Sequence, residues 1–225
     1  MAQSVTPDIA IIDYGMGNLR SVEKALVRVG ADARIISSPD EADGAQALVL
    51  PGVGAFGQAM ERLSESKFDE LAKAWVKADR PFLGICLGLQ LLFTESEEFG
   101  PVAGLDLVPG RVVRFRGPAF EPKGGEPGLK VPHMGWNQLQ VTQPHAVTDG
   151  IAEGAMAYFV HSYYCVPDDP EWTAIVTDHG IRFTSAVARG NLFASQFHPE
   201  KSGDVGLEML ANFVGLVRRA SGGGA

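Results

Sequence analysis

The chain has 225 residues, 45% of them hydrophobic and 20% charged, with a mean hydropathy of +0.04, an ordinary globular composition that excludes a disordered protein. A chain of this length buries roughly 70% of its unfolded surface, enough for a core without disulfides or a structural metal. Lys and Arg total 19 against 27 Asp and Glu, giving a net charge of −8; with no basic cluster to track phosphates, nucleic acid is not an expected partner.

The apolar run from Phe82 to Phe93 is too short to span a bilayer, and the opening MAQSVTPD carries no signal-peptide pattern. Two cysteines make no disulfide framework, so a cytoplasmic protein is expected, with no membrane partner.

Asp8 to Tyr14 reads as a buried strand that ends in the turn Gly15-Met16-Gly17-Asn18. Leu19, Val22, Ala25, Leu26 and Val29 recur at helical spacing, and Gly30 closes that helix. Ala33–Ile36 and Ala47–Leu50 give two more short strands, the second stopped by Pro51-Gly52-Val53-Gly54. A helical stretch over 56–77 precedes the strand Phe82–Ile85, Cys86, and an apolar helix over 87–94. Strands that alternate with helices and read as continuous apolar runs predict a parallel sheet covered on both faces.

Beyond Gly100 the pattern changes to strands over 107–115, 135–141, 157–166, 173–177, 184–188 and 192–197. These are expected to add antiparallel strands to the same sheet or beside it. Arg116 to Pro132, with four prolines and four glycines, reads as an exposed loop. A last helix over 205–218 leads into a disordered tail over about 220–225. The expected fold is one α/β domain over the whole chain, its core about 8–217.

Gly84-Ile85-Cys86-Leu87-Gly88 has the form of a nucleophile elbow with cysteine in the serine position. A sharp strand-to-helix turn strains the nucleophile's backbone, and the flanking glycines let the turn close. The helix N-terminus then favours the thiolate. An isolated cysteine is more often core, but the flanking glycines at a strand-helix switch favour the nucleophile.

Gln196-Phe197-His198-Pro199-Glu200 offers a base and an orienting group, since side chains two apart in extended chain share a side. Alone this segment reads as a solvated strand end; with the elbow it completes a Cys86-His198-Glu200 triad. Pro51-Gly52-Val53-Gly54 is either a plain turn or a backbone free to aim N–H groups at an oxyanion. Cys165 reads as core, His145 and His179 as surface, and His133 and His161 as structural. No Cys or His cluster has metal-ligand spacing, and the Gly15-Met16-Gly17-Asn18 turn is too incomplete a fingerprint for NAD. No metal and no cofactor are expected.

The elbow with Gln90, and the His198-Pro199-Glu200 segment downstream, resemble the class I glutamine amidotransferases. Asp13 to Asn18, Pro51 to Phe56, Cys86 to Phe93, Pro132 to Asn137 and Tyr158 to Tyr163 narrow the resemblance to the glutaminase subunits of imidazole glycerol phosphate synthase. It spans residues 8 to about 217, with the motifs in the family's order, and Leu89 stands where many sister glutaminases carry His.

The resemblance implies a flavodoxin-like fold, with Cys86 as nucleophile, His198 as base and acid, and Glu200 as its orienter. It implies Val53 and Leu87 as oxyanion donors, and Gly52, Gly54, Gln90, Glu98, Ser162 and Tyr163 in an L-glutamine pocket, with Glu98 on the substrate's ammonium. It further implies a (βα)8-barrel cyclase as heterodimer partner, which receives the ammonia and holds the phosphorylated substrate, so that this acidic chain needs no phosphate cradle. Asn18, Met134, Gly135, Trp136, Asn137 and Tyr158 match positions at that interface.

In such proteins the oxyanion loop is unproductive until the cyclase is bound. Because β-branched Val53 resists a positive φ, a flipped Gly52-Val53 peptide would store strain there. The 116–132 loop is longer than the shortest relatives require and reads as a solvated insertion rather than a partner contact.

Three other readings compete. A glutaminase of another synthase is disfavoured by Leu89 and by the His133-Met134-Gly135-Trp136-Asn137 segment. A cysteine peptidase has no need of Gln90 or Glu98. A non-catalytic subunit would not need an intact triad.

Overall fold

The computed structural model describes residues 6–123 and 125–222. Its first half is a succession of strands and helices: β1 (Asp8–Ile12), α1 (Leu19–Arg28), β2 (Asp32–Ile36), β3 (Ala47–Gly52), α2 (Phe56–Glu65), α3 (Phe68–Lys77), β4 (Phe82–Cys86) and α4 (Leu87–Leu91). Strands dominate the second half: β5 (Phe93–Ser96), β6 (Val102–Ala103), β7 (Val108–Arg114), β8 (His133–Gln138), β9 (Gln140–Val141), β10 (Met156–His161), β11 (Tyr163–Pro167), β12 (Thr173–Asp178), β13 (Arg182–Arg189) and β14 (Leu192–Ser195). Helix α5 (Gly203–Gly222) closes the described chain.

Twelve strands form one sheet, in the order β2-β1-β3-β4-β14-β13-β11-β7-β5-β6, with β12 and β9 attached through β13. The run from β2 to β14 is parallel, and antiparallel pairing begins at β14–β13. Both predicted outcomes for the second half occur, because β8 and β10 pair separately as a two-stranded antiparallel sheet. The class is α/β with a mostly parallel centre and added antiparallel strands.

Strand alternation divides the core in two. Ile9 and Ile11 of β1 face one side with Leu26 of α1 and Phe213 of α5, while Ala10 and Ile12 face the other with Leu63 of α2 and Trp75 of α3. Strands buried on both faces explain the unbroken apolar runs. No helix among the described residues is long and apolar enough to cross a membrane.

Several boundaries differ from those expected. The 56–77 stretch is two helices, separated by a left-handed turn with φ 59° at Lys67. The helix predicted over 87–94 is only five residues long, and Phe93 onward is strand β5, paired with β7. A short apolar run does not by itself separate helix from strand. The strand predicted over 157–166 breaks at Ser162, where β10 leaves to pair with β8 and β11 joins the large sheet.

Helix α5 runs past Arg218 to Gly222, with Ser221 Oγ donating back to Val217 O at 3.0 Å. The remainder of the expected tail, 223–225, lies outside the described residues. The 116–132 loop is mostly exposed, but Phe120 and Val131 pack onto the core.

Candidate active site

Ligands of open parallel sheets bind beyond the carboxyl ends of the strands, and three such ends meet here. Register pairs Gly52 with Cys86 across β3 and β4, and Ser195 with Ile85 across β14 and β4. The loop after β14 therefore delivers His198 to the elbow.

Cys86 has φ 56° and ψ −109°, a conformation that a side chain adopts only under local constraint. The constraint comes from tight packing: an added Cβ on Gly88 would collide with Leu50 O, and one on Gly84 would lie 2.8 Å from the Ala194 Cβ. Helix α4 is only five residues long, so its dipole at Cys86 is short.

His198 and Glu200 lie two residues apart, as extended spacing predicts, with His198 Nδ1 2.8 Å from Glu200 Oε1 and both side chains buried. Pro199 starts a 3-10 turn that ends the extended run. Burial opposes a charged imidazole, but Cys86 and Glu200 together outweigh it and push the His198 pKa up to about 9. Its Nε2 closes no hydrogen bond at normal geometry in the resting structure.

A cavity of about 590 Å³ opens over Cys86 and His198, with Leu87, Val53 and Gly54 lining the same side. Gln90, Glu98, Ser162 and Tyr163 line its other walls. Gly52 lies beneath this floor, where the Tyr14 hydroxyl fills the space a side chain would need. Leu87 is the first residue of α4, so its N–H has no helical acceptor, and Val53, directly after the Gly52–Cys86 register pair, lines the same cavity. Val53 is 42% exposed and is not among the residues with positive φ; Gly54, at φ 101°, takes the left-handed position. Glu98 Oε2 accepts from Phe56 N at 2.6 Å, capping α2 directly after this loop, with the carboxylate also on the cavity wall.

The expected interface residues separate by strand face. Met134 and Trp136 alternate outward on β8, 63% and 53% exposed, and Trp136 meets outward-facing Tyr158 of β10 edge-on, with ring centroids 6.3 Å apart. Gly135 and Asn137 belong to the inner face, and Asn137 Nδ2 donates inward to Asp178 O at 2.8 Å. Asn18 is exposed at the start of α1, which packs, as β10 does, against the Pro199–Lys201 turn.

Cys165 is buried and free, and burial pushes its thiol pKa well up. His133 and His161 are buried and bonded to each other, Nδ1 to Nε2, at 2.9 Å. His145 and His179 differ from the surface expectation, because both are half-buried. His145 bonds Gly190 O at 3.1 Å, and His179 stacks on His133 with centroids 4.2 Å apart.

Residues without a predicted role also reach the site. Gln196 Nε2 lies 3.8 Å from the Cys86 sulfur, and Arg114 and His161 line the cavity. For Gln196 the signal was present, since the alternation that pairs His198 with Glu200 also places Gln196 on their side.

The sequence profile described as Glutamine amidotransferase class-I matches residues 10–216. The chain is 55% identical to "Imidazole glycerol phosphate synthase subunit HisH" of Syntrophotalea carbinolica over 91% of this chain and 98% of that protein. It is 51% identical to the protein of the same name from Moorella thermoacetica, over 96% of this chain and 98% of that one. Among solved structures, PurLQS from Thermotoga maritima superposes with a TM-score of 0.71 at 17% identity, covering 94% of this chain and 99% of that chain, a likeness of fold. With a cysteine elbow facing a buried histidine and carboxylate, and with this profile spanning nearly all of the described fold, the chain belongs to the class I glutamine amidotransferase family.

Proposed function

We propose that the chain is a glutaminase subunit that hydrolyses L-glutamine to glutamate and ammonia and passes the ammonia to a (βα)8-barrel cyclase. That partner makes imidazole glycerol phosphate and aminoimidazole carboxamide ribotide in histidine biosynthesis, in the cytoplasm. The observation that carries the chemistry is the strained Cys86 facing His198, itself bonded to Glu200, on the wall of one cavity. The name these two relatives share, a subunit of imidazole glycerol phosphate synthase, supports the pathway and the partner.

The thiolate of Cys86 attacks the side-chain amide carbon of glutamine, and the carbonyl oxygen takes the negative charge. The N–H groups of Val53 and Leu87 receive that oxyanion. His198 begins as the imidazolium and protonates the departing nitrogen, so the C–N bond breaks and ammonia leaves a thioester. Neutral His198 then takes a proton from water, which adds to the thioester; collapse expels the Cys86 thiolate and frees glutamate. Glu200 orients the imidazole and stabilises its charge through both halves. Glu98 receives the substrate ammonium, and Gln90, Ser162 and Tyr163 hold the rest of the amino acid.

Exposed Met134 and Trp136, with Tyr158 and Asn18, are the surface we assign to the cyclase, and the Gly52–Gly54 loop is the element its binding rearranges. The test is glutamine hydrolysis by the purified chain, alone and with the cyclase and its nucleotide ligand. Low activity alone with strong stimulation in the complex is the expected result. High, unstimulated activity would remove the partner and the switch.

A further inference from the structure

We propose that Gln196 is a positioning residue for the nucleophile: its side-chain amide N–H holds the Cys86 sulfur, and Gln90, whose amide N–H groups donate both to Tyr163 O and to the Gln196 oxygen, fixes which end of the Gln196 amide faces the sulfur. The proposal rests on the reading above only in taking Cys86 as the nucleophile.

Tyr163 O is an acceptor, so the Gln90 atom 3.1 Å from it is the amide nitrogen. The same nitrogen lies 3.0 Å from Gln196, which must present its oxygen. Gln196 therefore turns its own NH₂ to Cys86 Sγ, at 3.8 Å, a normal range for a sulfur acceptor. Gln196 is completely buried and Gln90 nearly so, and neither amide can exchange ends without leaving two donors, or two acceptors, in contact.

The carbonyl that anchors this chain is itself held from behind. His161 Nδ1 lies 2.7 Å from Tyr163 O and must donate to it, which leaves His161 Nε2 as acceptor from His133 Nδ1 at 2.9 Å. His133 Nε2 in turn faces Asn137 Nδ2 at 3.1 Å. Burial keeps both imidazoles neutral, as this directionality requires. The sulfur is thus joined to the inner face of β8, the strand whose outer face carries Met134 and Trp136.

An N–H aimed at sulfur favours the thiolate over the thiol, and it restrains the side chain about χ1. Other groups act on the same sulfur: His198 from the loop after β14, with Glu200 behind it, Tyr14 just after β1, and Cys165 from β11. Glu98 and Arg114 share the cavity wall. All of these are unchanged in a Gln196 variant.

The test uses the full chain without glutamine: the rate of Cys86 alkylation by iodoacetamide is followed against pH, with the modified cysteine located by peptide mass. In Gln196→Met the profile is expected to move to higher pH, with a roughly tenfold lower rate at pH 7, the size of one hydrogen bond to a charged group. The kcat for glutamine in the cyclase complex is expected to fall by a similar factor with KM little changed. Gln90→Met, which removes the donor that orients Gln196, should displace the alkylation profile in the same direction while also raising KM.

A folded Gln196→Met chain with the wild-type alkylation profile and kcat would overturn the proposal. Should that variant not fold, an unchanged profile in Gln90→Met would overturn it equally. A wild-type chain that alkylates as described but never hydrolyses glutamine would refute the glutaminase reading and leave the Gln196 assignment standing.

Discussion

Gly88 lies directly beneath the Leu50 carbonyl, so close that no side chain fits between α4 and β3. Substituting Gly88→Ala therefore forces either the elbow or the central strand to move. The expected cost is about 3 kcal/mol or more, measured as a lower urea midpoint, with loss of hydrolysis in any folded fraction. An active Gly88→Ala protein of wild-type stability would show that the elbow tolerates far looser packing than the structure contains.

The His198 pKa, held near 9, gives activity and stability a shared alkaline limit. Because the folded value lies above the ordinary 6.5, the stabilisation from this group is complete below that pH and is lost as pH rises through about 9. The kcat of the complex should fall over the same range, as the imidazolium proposed to protonate the departing amide nitrogen disappears. Glu200→Gln removes one source of the upward shift, so its alkaline limb should move to lower pH and its kcat should drop by roughly 10²–10⁴-fold. A pH–rate profile with an unmoved limb would contradict the pairing.

The opposite sign applies to His133 and His161, whose pKa values burial lowers to about 4 and about 3. In the unfolded chain both titrate near 6.5, so between that pH and about 4 the unfolded state binds more protons. Thermal unfolding scanned by pH should therefore show stability decreasing as pH falls below about 6.5, with a shallower slope in His133→Gln. Equal slopes in the two proteins would mean that His133 is not neutral in the fold.

Trp136 is half exposed and meets Tyr158 only edge-on, so Trp136→Ala should change the chain's own stability by no more than about 1 kcal/mol. If the outer face of β8 docks the cyclase, the same change should weaken complex formation by about 2 kcal/mol, some 30-fold in Kd by titration calorimetry. Unchanged affinity would move the docking surface elsewhere.

The parts of the site legible in the sequence were those carried by local spacing. The glycines around Cys86 announce a tight turn, and the His198–Glu200 interval announces a shared side; both depend on a few bonds of backbone. What stayed hidden depends on strands meeting from distant parts of the chain. Nothing in the run Leu87 to Phe93 says that a helix gives way to strand β5 there, because the deciding event is pairing with β7. Ser162 carries no turn signal, yet the chain changes sheets at it because His133 to Gln138 recruits one half of the segment and β7 the other. The amide chain from Gln90 to Gln196 needs α4, β11 and β14 in place together, and no residue in it is unusual for its own element.

The position of β14 beside β4 also bears on how the protein is made. Until Leu192 to Ser195 emerge from the ribosome, β4 is the outermost strand of the parallel run, apolar on both faces and unpaired along one edge. Such an edge invites strand addition by other chains, so the nascent first half exposes an aggregation-prone edge. The segment that seals this edge also brings His198, so the proposed nucleophile meets its proposed base only when the edge is covered. Incomplete chains consequently carry the cysteine without the means to consume glutamine.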